Sequence, residues 1–423
     1  MPYACELMSV PSTSATSSLS IGSLYTIRVT VQGSRLRSEL SRRSAHRVEA
    51  DIPMQGDLSM SLKLTVFTAI PRERGQQQGE LMRSEIAANA DFYLKRFCAN
   101  GTNLAQIQAE ATGWLRFLED LRPDYVEELR GIADAAFMPL YTVVMLNVRH
   151  EIWLRLMARR AADLSYGILD GCTSAGLMPE VTAQNTTMLA QTIDGQAAVR
   201  GTLFVGKVVT PANPQWLGIF EAGCAGPIAG LNEAGIGLVC NSLVSPIDGS
   251  ALMTAPFKLR CRSILQAPTF DRAISAIIRA DRNISMNYLI GHADGEIINI
   301  ESSPNDKRYI YPEDGVISHA NHFEPGTRIP SEWERFVPDS PFRSRRFGRH
   351  LRSRLGQVDV DHILLGLKDH FSYPASICCH PNQDTQYPNS TLSAIIMDLS
   401  KRVLFATDGP PCSAPLERFD LWI

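Results

Sequence analysis

Asp170-Gly171-Cys172-Thr173 sets a cysteine directly after a glycine, at the point where a helix-patterned segment gives way to one patterned for strands. A thiol becomes a strong nucleophile only when a base takes its proton or its pKa falls. A cysteine placed at a chain terminus carries its own base, because a free α-amine titrates near ~7.7–8. Gly171 suits a self-cleaving junction, since only glycine adopts positive φ without penalty and so could expose its carbonyl to the neighbouring thiol. An isolated Gly-Cys pair is more often an inert cysteine in a turn. The residues on either side of the pair are what separate the two readings.

Before Cys172 the periodicity is helical. A strand is expected over 62–70, followed by helices over 83–94, 104–121, 125–136 and 141–159. After it come short apolar runs divided by Gly, Pro and Asn, read as strands over 188–193, 203–209, 216–221, 236–240, 288–290, 297–301, 316–319, 394–398 and 403–406. Helical stretches interrupt them at 257–279 and 358–370. Blocks of strand and helix in this order predict an antiparallel sheet covered by helices, an α+β layered domain.

The chain has 423 residues, 44% hydrophobic and 20% charged, the composition of an ordinary globular protein with a sizeable core. A net charge of -3 gives nucleic acid or an anionic membrane no electrostatic handle. No apolar run is long enough to span a bilayer. Nine cysteines, scattered and odd in number, point to reduced thiols inside a cell rather than a disulfide framework. Cys378-Cys379-His380 is discounted as a metal site, because adjacent cysteines chelate poorly and no second pair follows; no metal is expected. Residues 1–61 are Ser/Thr-rich and then Arg-rich, and are expected to be a disordered extension with only a faint likeness to a transit peptide. The end, Leu421-Trp422-Ile423, is no peroxisomal signal, so a cytoplasmic location is expected.

The markers fall in a particular order: Tyr125-Val-Glu-Glu-Leu-Arg-Gly-Ile-Ala, Val144-Met-Leu-Asn-Val-Arg-His-Glu, Asp170-Gly-Cys-Thr-Ser-Ala, Glu221-Ala-Gly, Gly230-Leu-Asn-Glu-Ala-Gly-Ile-Gly, Ile300-Glu-Ser-Ser-Pro, Ser318-His-Ala-Asn-His, Ser376-Ile-Cys and Thr391-Leu. From about Leu62 to Asp420 the chain thereby resembles the acyl-coenzyme A:6-aminopenicillanic acid acyltransferase family, the C45 group of N-terminal-nucleophile hydrolases. The resemblance implies a four-layer αββα fold. It also implies a precursor that cuts itself between Gly171 and Cys172, giving a helical α chain (62–171) and a β chain (172–423) that begins with the nucleophile. An acyl group would pass from acyl-CoA or an amide, through a cysteinyl acyl-enzyme, to an amine or water. No cofactor is implied, with acyl-CoA as a possible co-substrate, and the partners are a small-molecule acyl donor and an amine acceptor.

Residue by residue, the resemblance makes Asp194 the aspartate that positions the terminal amine, beyond an enlarged loop over 177–187. It makes Asn321 a donor to the oxyanion, an effect of typically ~3–4 kcal/mol, and links Ser303 to maturation. Two departures stand out. The penicillin-forming member has an arginine ahead of its Gly-Ala-Thr-Leu, where this chain reads Tyr387-Pro388-Asn389-Ser390-Thr391-Leu392, so a fixed cation suited to a carboxylate is missing. Ile193, not tryptophan, precedes Asp194. The competing expectation from another class is an uncut, non-catalytic scaffold that keeps the fold.

Overall fold

The structure, a computed structural model, describes residues 62–160, 171–279, 281–326, 329–331, 334, 337–382 and 388–423, without the side chains of 157–160. The extension at 1–61, Asp170 and Tyr387 lie outside the described residues.

Segment 62–160 is one strand and a helical array: β1 (Leu64–Phe67), α1 (Pro71–Leu81), α2 (Arg83–Ala99), α3 (Leu104–Leu121), α4 (Pro123–Ala135), α5 (Leu140–Asn147) and α6 (Arg149–Arg160). Asn103 starts α3 with a full capping box, its side chain accepting from the Gln106 amide while the Gln106 side chain accepts from its own. The apolar period read as one helix over 141–159 is broken at Val148 into α5 and α6.

From Cys172 on, the strands are β2 (Cys172–Leu177), β3 (Met188–Gln196), β4 (Leu203–Val208), β5 (Trp216–Glu221), β6 (Ala229–Asn232) and β7 (Ile236–Ser242). Then come α7 (Phe257–Leu265), α8 (Phe270–Ile278), β8 (Met286–His292), β9 (Ile297–Ser302), β10 (Lys307–Ile310) and β11 (Val316–His319). The chain closes with α9 (Ser340–Arg352), α10 (Val360–Leu367), β12 (Asn389–Asp398), β13 (Val403–Ala406) and β14 (Glu417–Asp420).

Two sheets form, ordered β1-β4-β5-β6-β7-β8-β9-β10 and β11-β2-β3-β12-β13-β14. Every pairing is antiparallel except β1 with β4, so the segment before the Gly-Cys pair donates an edge strand to the sheet built after it. The helices α9 and α10 cover the outer face of the second sheet, with Phe347, Leu351, Ile363 and Leu367 packed on Ala175, Leu177, Ala394 and Ile396. The larger core joins the first sheet to the remaining helices and to residues of the second sheet such as Leu189, Ile193 and Ile395. Helix, sheet, sheet and helix therefore stack as αββα, an α+β fold.

The inter-sheet layer is not purely apolar. The Ser174 hydroxyl donates to Asn241 Oδ1 at 2.7 Å, and the Gln191 amide donates to the Cys240 carbonyl, so β2 and β3 are each pinned to β7 across the interior. Such buried polar links hold only one register, since a slip would leave both partners unsatisfied.

The two markers ahead of the Gly-Cys pair prove to be assembly devices. In the first, Glu128 is buried and accepts from Arg74 and Arg262, each at 2.6 Å, joining α1, α4 and α7. Gly131 lets α1 approach: a Cβ there would stand 2.2 Å from the Arg72 carbonyl oxygen, and one on Gly75 2.1 Å from that of Glu128. In the second, Asn147 accepts from Tyr125 and the Ala225 amide and donates to the Gly223 carbonyl, Arg149 donates to Glu221 at 2.5 Å, and Glu151 accepts from the Phe257 amide at 2.7 Å.

In an open helix Gly131→Ala would gain about 1 kcal/mol of helix propensity. Here the methyl group meets backbone, so overpacking of about 1–3 kcal/mol wins. Gly131→Ala is expected to lower the urea midpoint without changing the slope; a raised midpoint would contradict so close a crossing.

Candidate active site

Cys172 opens β2, a central strand buried along its whole length, and pairs with Ile193 on β3. That register sets Gly171 against Asp194, whose amide donates to the Gly171 carbonyl at 3.0 Å. The long 177–187 connection lies at the far end of the hairpin and leaves this end in step. A Cβ on Gly171 would meet Asp194 at an ordinary 3.5 Å.

The backbone nitrogen of Cys172 donates to Asn321 Oδ1 at 2.9 Å. Arg343 donates to the same oxygen at 2.9 Å, while Asn321 Nδ2 donates to the Ser242 carbonyl at 3.0 Å. Two donors on one atom and a carbonyl on the other fix which way the amide faces. Asn321 thus gives one of its two N–H groups to the Ser242 carbonyl and offers the Cys172 nitrogen an acceptor.

Arg343 is the residue that sequence reasoning missed. It is buried, and it also donates to the Cys172 carbonyl and Thr173 Oγ1, both at 2.7 Å, and through Nε to Asp339 at 2.6 Å. Its helix, α9, was not expected because the run Ser340-Pro-Phe-Arg-Ser-Arg-Arg-Phe-Gly-Arg-His-Leu-Arg reads as polar. The signal was the spacing: Arg343 shares one face with Ser340, Phe347 and Leu351, all buried. A cation on an otherwise apolar stripe needs an interior partner.

Asp194 is buried, and desolvation pushes its carboxyl up to about 6, against the pull of Arg343 and of hydrogen bonds from Thr391 and Thr192. Thr391 Oγ1 donates to Asp194 Oδ1 at 2.7 Å and accepts from the Cys379 amide at 2.9 Å. Thr192 Oγ1 approaches Oδ2 at 3.3 Å. His322 stacks on His319, and burial, with His319 and the arginines 343 and 345 nearby, lowers it to about 3, so it is neutral.

Two spaces flank the Gly171–Cys172 bond. A cleft of about 280 Å³ is lined by Gly171, Asp194, Asp339, Arg343, Ser376 and Cys379, among others. An inner cavity of about 20 Å³ is walled by Cys172, Ile193, Ile228, Phe257, Met286 and their neighbours, room for about one water.

Ser303 is not brought to this site. Its hydroxyl accepts from the Asp306 amide at 3.1 Å, its own amide donates to the Asp306 carbonyl at 2.8 Å, and its carbonyl accepts from Arg282 at 2.8 Å. It closes the turn between β9 and β10 and lines a different pocket, with Ser245 and Ile247. Folding brings His370 and Cys412 to Cys378 and His380, while Cys379 stands outside that group. Among the described residues no helix is long and apolar enough to cross a membrane.

The αββα frame thus sets Cys172, its nitrogen held by an amide oxygen, close to a buried aspartate. Residues 181–410 match the model of the family described as acyl-coenzyme A:6-aminopenicillanic acid acyl-transferase, and the chain belongs to that family. One relative, the acyl-coenzyme A:6-aminopenicillanic-acid-acyltransferase 40 kDa form of Emericella nidulans, is 28% identical over 337 residues, 78% of this chain and 87% of the relative. Solved structures with distant similarity include a mutant conjugated bile acid hydrolase of Clostridium perfringens, 14% identical with a TM-score of 0.41 over 58% of this chain and 92% of its own. Another is the Caenorhabditis elegans N-acylethanolamine-hydrolyzing acid amidase orthologue, 12% identical with a TM-score of 0.41 over 54% of this chain and 93% of its own.

Arg343→Met removes a buried guanidinium, abandoning the part-buried Asp339 and the buried Cys172 carbonyl, so a loss of about 3 kcal/mol is expected by chemical denaturation. A loss under about 0.5 kcal/mol, the range of ordinary surface changes, would show that the fork carries no structural weight.

Proposed function

We propose that the chain is the precursor of an acyltransferase or amidohydrolase that cuts itself between Gly171 and Cys172 and then works through a thioester on Cys172. The observation that carries the reading is the hydrogen bond from the Cys172 nitrogen to Asn321 Oδ1, an acceptor that Arg343 locks in place.

In the first step the Cys172 thiol loses its proton and attacks the Gly171 carbonyl carbon. The developing oxyanion is met by the Asp194 amide, already donating to that oxygen at 3.0 Å. The Gly171–Cys172 C–N bond then breaks, the nitrogen takes the proton, and the glycyl group resides on sulfur as a thioester. Water hydrolyses the thioester, releasing a Gly171 carboxylate and restoring the thiol. The amine so freed remains beside Asn321 Oδ1 and near Asp194.

In turnover that amine takes the thiol proton, and the thiolate attacks the carbonyl of a thioester or amide. The leaving thiol or amine departs with a proton, and an incoming amine or water cleaves the acyl-enzyme. Gly171 lines the cleft and Cys172 the inner cavity, so the bond that is cut joins a residue of one space to a residue of the other. Membership of the acyltransferase family and the cleft's contact with Gly171 and Asp194 support this over an uncut scaffold. After scission the pieces remain held by Arg149–Glu221, Glu128–Arg262 and the β1–β4 pairing.

Asp194 titrates near 6 in the uncut chain, so its carboxylate is present above that value and lost below it. If the carboxylate accepts or steers the thiol proton, the rate of self-cleavage rises with pH through a midpoint near 6, followed by gel densitometry of freshly diluted precursor. Asp194→Asn removes that limb; a flat wild-type profile between about pH 5 and 7, the span around that midpoint, would exclude the role.

Incubating mature protein with an acyl-CoA, or with a simple amide, is expected to give a mass increase equal to the acyl group on the piece beginning at Cys172. Hydroxylamine should remove it, and Cys172→Ala should never acquire it. Acylation at any other residue would overturn the assignment of the nucleophile.

A further inference from the structure

Four side chains from three separate stretches converge away from the Cys172 nitrogen. His370 follows α10, Cys378 and His380 lie in the loop before β12, and Cys412 lies between β13 and β14. Their ligand atoms, one from each residue, all fall within 4.8 Å of one another. His370 Nε2 lies 3.1 Å from His380 Nε2, which is 3.5 Å from Cys378 Sγ and 3.4 Å from Cys412 Sγ. A single imidazole nitrogen has one proton or one lone pair. It cannot satisfy three such neighbours at once by hydrogen bonding.

We propose that His370, Cys378, His380 and Cys412 form a structural zinc site that clamps the cleft-side loop to the chain between β13 and β14. Zinc bonds of ~2.0–2.1 Å to nitrogen and ~2.3 Å to sulfur at tetrahedral angles imply N···N edges of about 3.3 Å and N···S edges of about 3.5 Å. The three separations from His380 Nε2 are close to those edges, and the remaining ligand pairs fall within 4.8 Å. Two sulfurs and two imidazoles in a tetrahedron favour zinc over calcium, magnesium or manganese, which take oxygen ligands. Two thiolates neutralise the charge of Zn²⁺, and four protein ligands leave no open position, which is the pattern of a structural site rather than a catalytic one.

The backbone is arranged to present these ligands. The Cys378 amide donates to the Asp369 carbonyl at 3.0 Å and the His380 amide to the Pro374 carbonyl at 3.1 Å, folding the loop back on itself. On the other side, the Ser413 and Ala414 amides both donate to the Pro410 carbonyl, at 3.1 and 2.9 Å, which turns the chain where Cys412 stands. Cys379 Sγ points elsewhere, 3.8 Å from the Asn389 carbonyl oxygen, and its amide donates to Thr391 Oγ1, which in turn donates to Asp194. The clamp therefore braces the same loop that supports Asp194, and His380 and Cys379 also line the cleft.

The test is metal content of the full-length protein purified with zinc and dialysed against metal-free buffer, by inductively coupled plasma mass spectrometry. One zinc per chain is expected. Cobalt added to the stripped protein should give tetrahedral d–d bands and a sulfur-to-cobalt charge-transfer band. Cys412→Ser and His370→Ala alter exposed positions, so both should fold, yet bind zinc at least about 100-fold more weakly, beyond what loss of an outer-sphere partner alone causes. Cys379→Ser should keep its zinc. A chelator should lower the melting temperature of the wild type by several degrees and leave that of Cys412→Ser unmoved. Wild-type protein that takes up no stoichiometric zinc, a cobalt spectrum without the charge-transfer band, or full zinc retention in Cys412→Ser would each overturn the proposal.

Discussion

Arg343 holds together the surroundings of Cys172. One guanidinium reaches the Cys172 carbonyl, the Thr173 hydroxyl, the Asn321 amide oxygen and the Asp339 carboxylate. A planar five-donor fork can serve four acceptors at fixed angles, whereas a lysine cannot. By occupying one side of Asn321 Oδ1 it aims the remaining lone pair at the Cys172 nitrogen. By charge it also moderates the upward shift that burial imposes on Asp194. Register, amide orientation and carboxyl ionisation at this site therefore share one cation.

The helical segment before Cys172 is not an appendage. It supplies β1 to the first sheet, Arg149 to Glu221, Asn147 to Gly223 and Ala225, and Glu128 to Arg262. The side-chain bonds are buried, so each would leave an unpaired polar group if the segment were absent. A break at residue 171 removes one covalent bond and none of these contacts.

Strongly periodic elements were legible in the sequence. The helix at Leu104–Leu121 and the strands at Trp216–Glu221 and Val316–His319 fall on the expected residues, because amphipathic or apolar runs end there at Asn, Pro or Gly. The strand that begins at Cys172 was not. Cys-Thr-Ser-Ala-Gly-Leu is small-residue chain, poor in strand propensity, and it is a strand because two neighbours and two cores enclose it: a Cβ on Gly176 would already lie 3.1–3.2 Å from Ile297, Ile317 and Leu189. Cys172, Asp194 and Asn321 were found through motif order and do converge. The direction in which Asn321 faces was not legible, since only its tertiary partners decide which end of the amide meets Cys172. The zinc ligands were hidden for a related reason: His370 and Cys412 are far apart in sequence, and only folded loops bring them together.

The central claim is that sulfur and amine come to belong to one terminal residue. N-terminal sequencing of the freshly purified protein, with intact mass under denaturing conditions, addresses it most directly. The account predicts two pieces of about 19 and about 28 kDa, from ~110 Da per residue, the larger beginning Cys-Thr-Ser. A single full-length species, or a new terminus at any other residue, would contradict it.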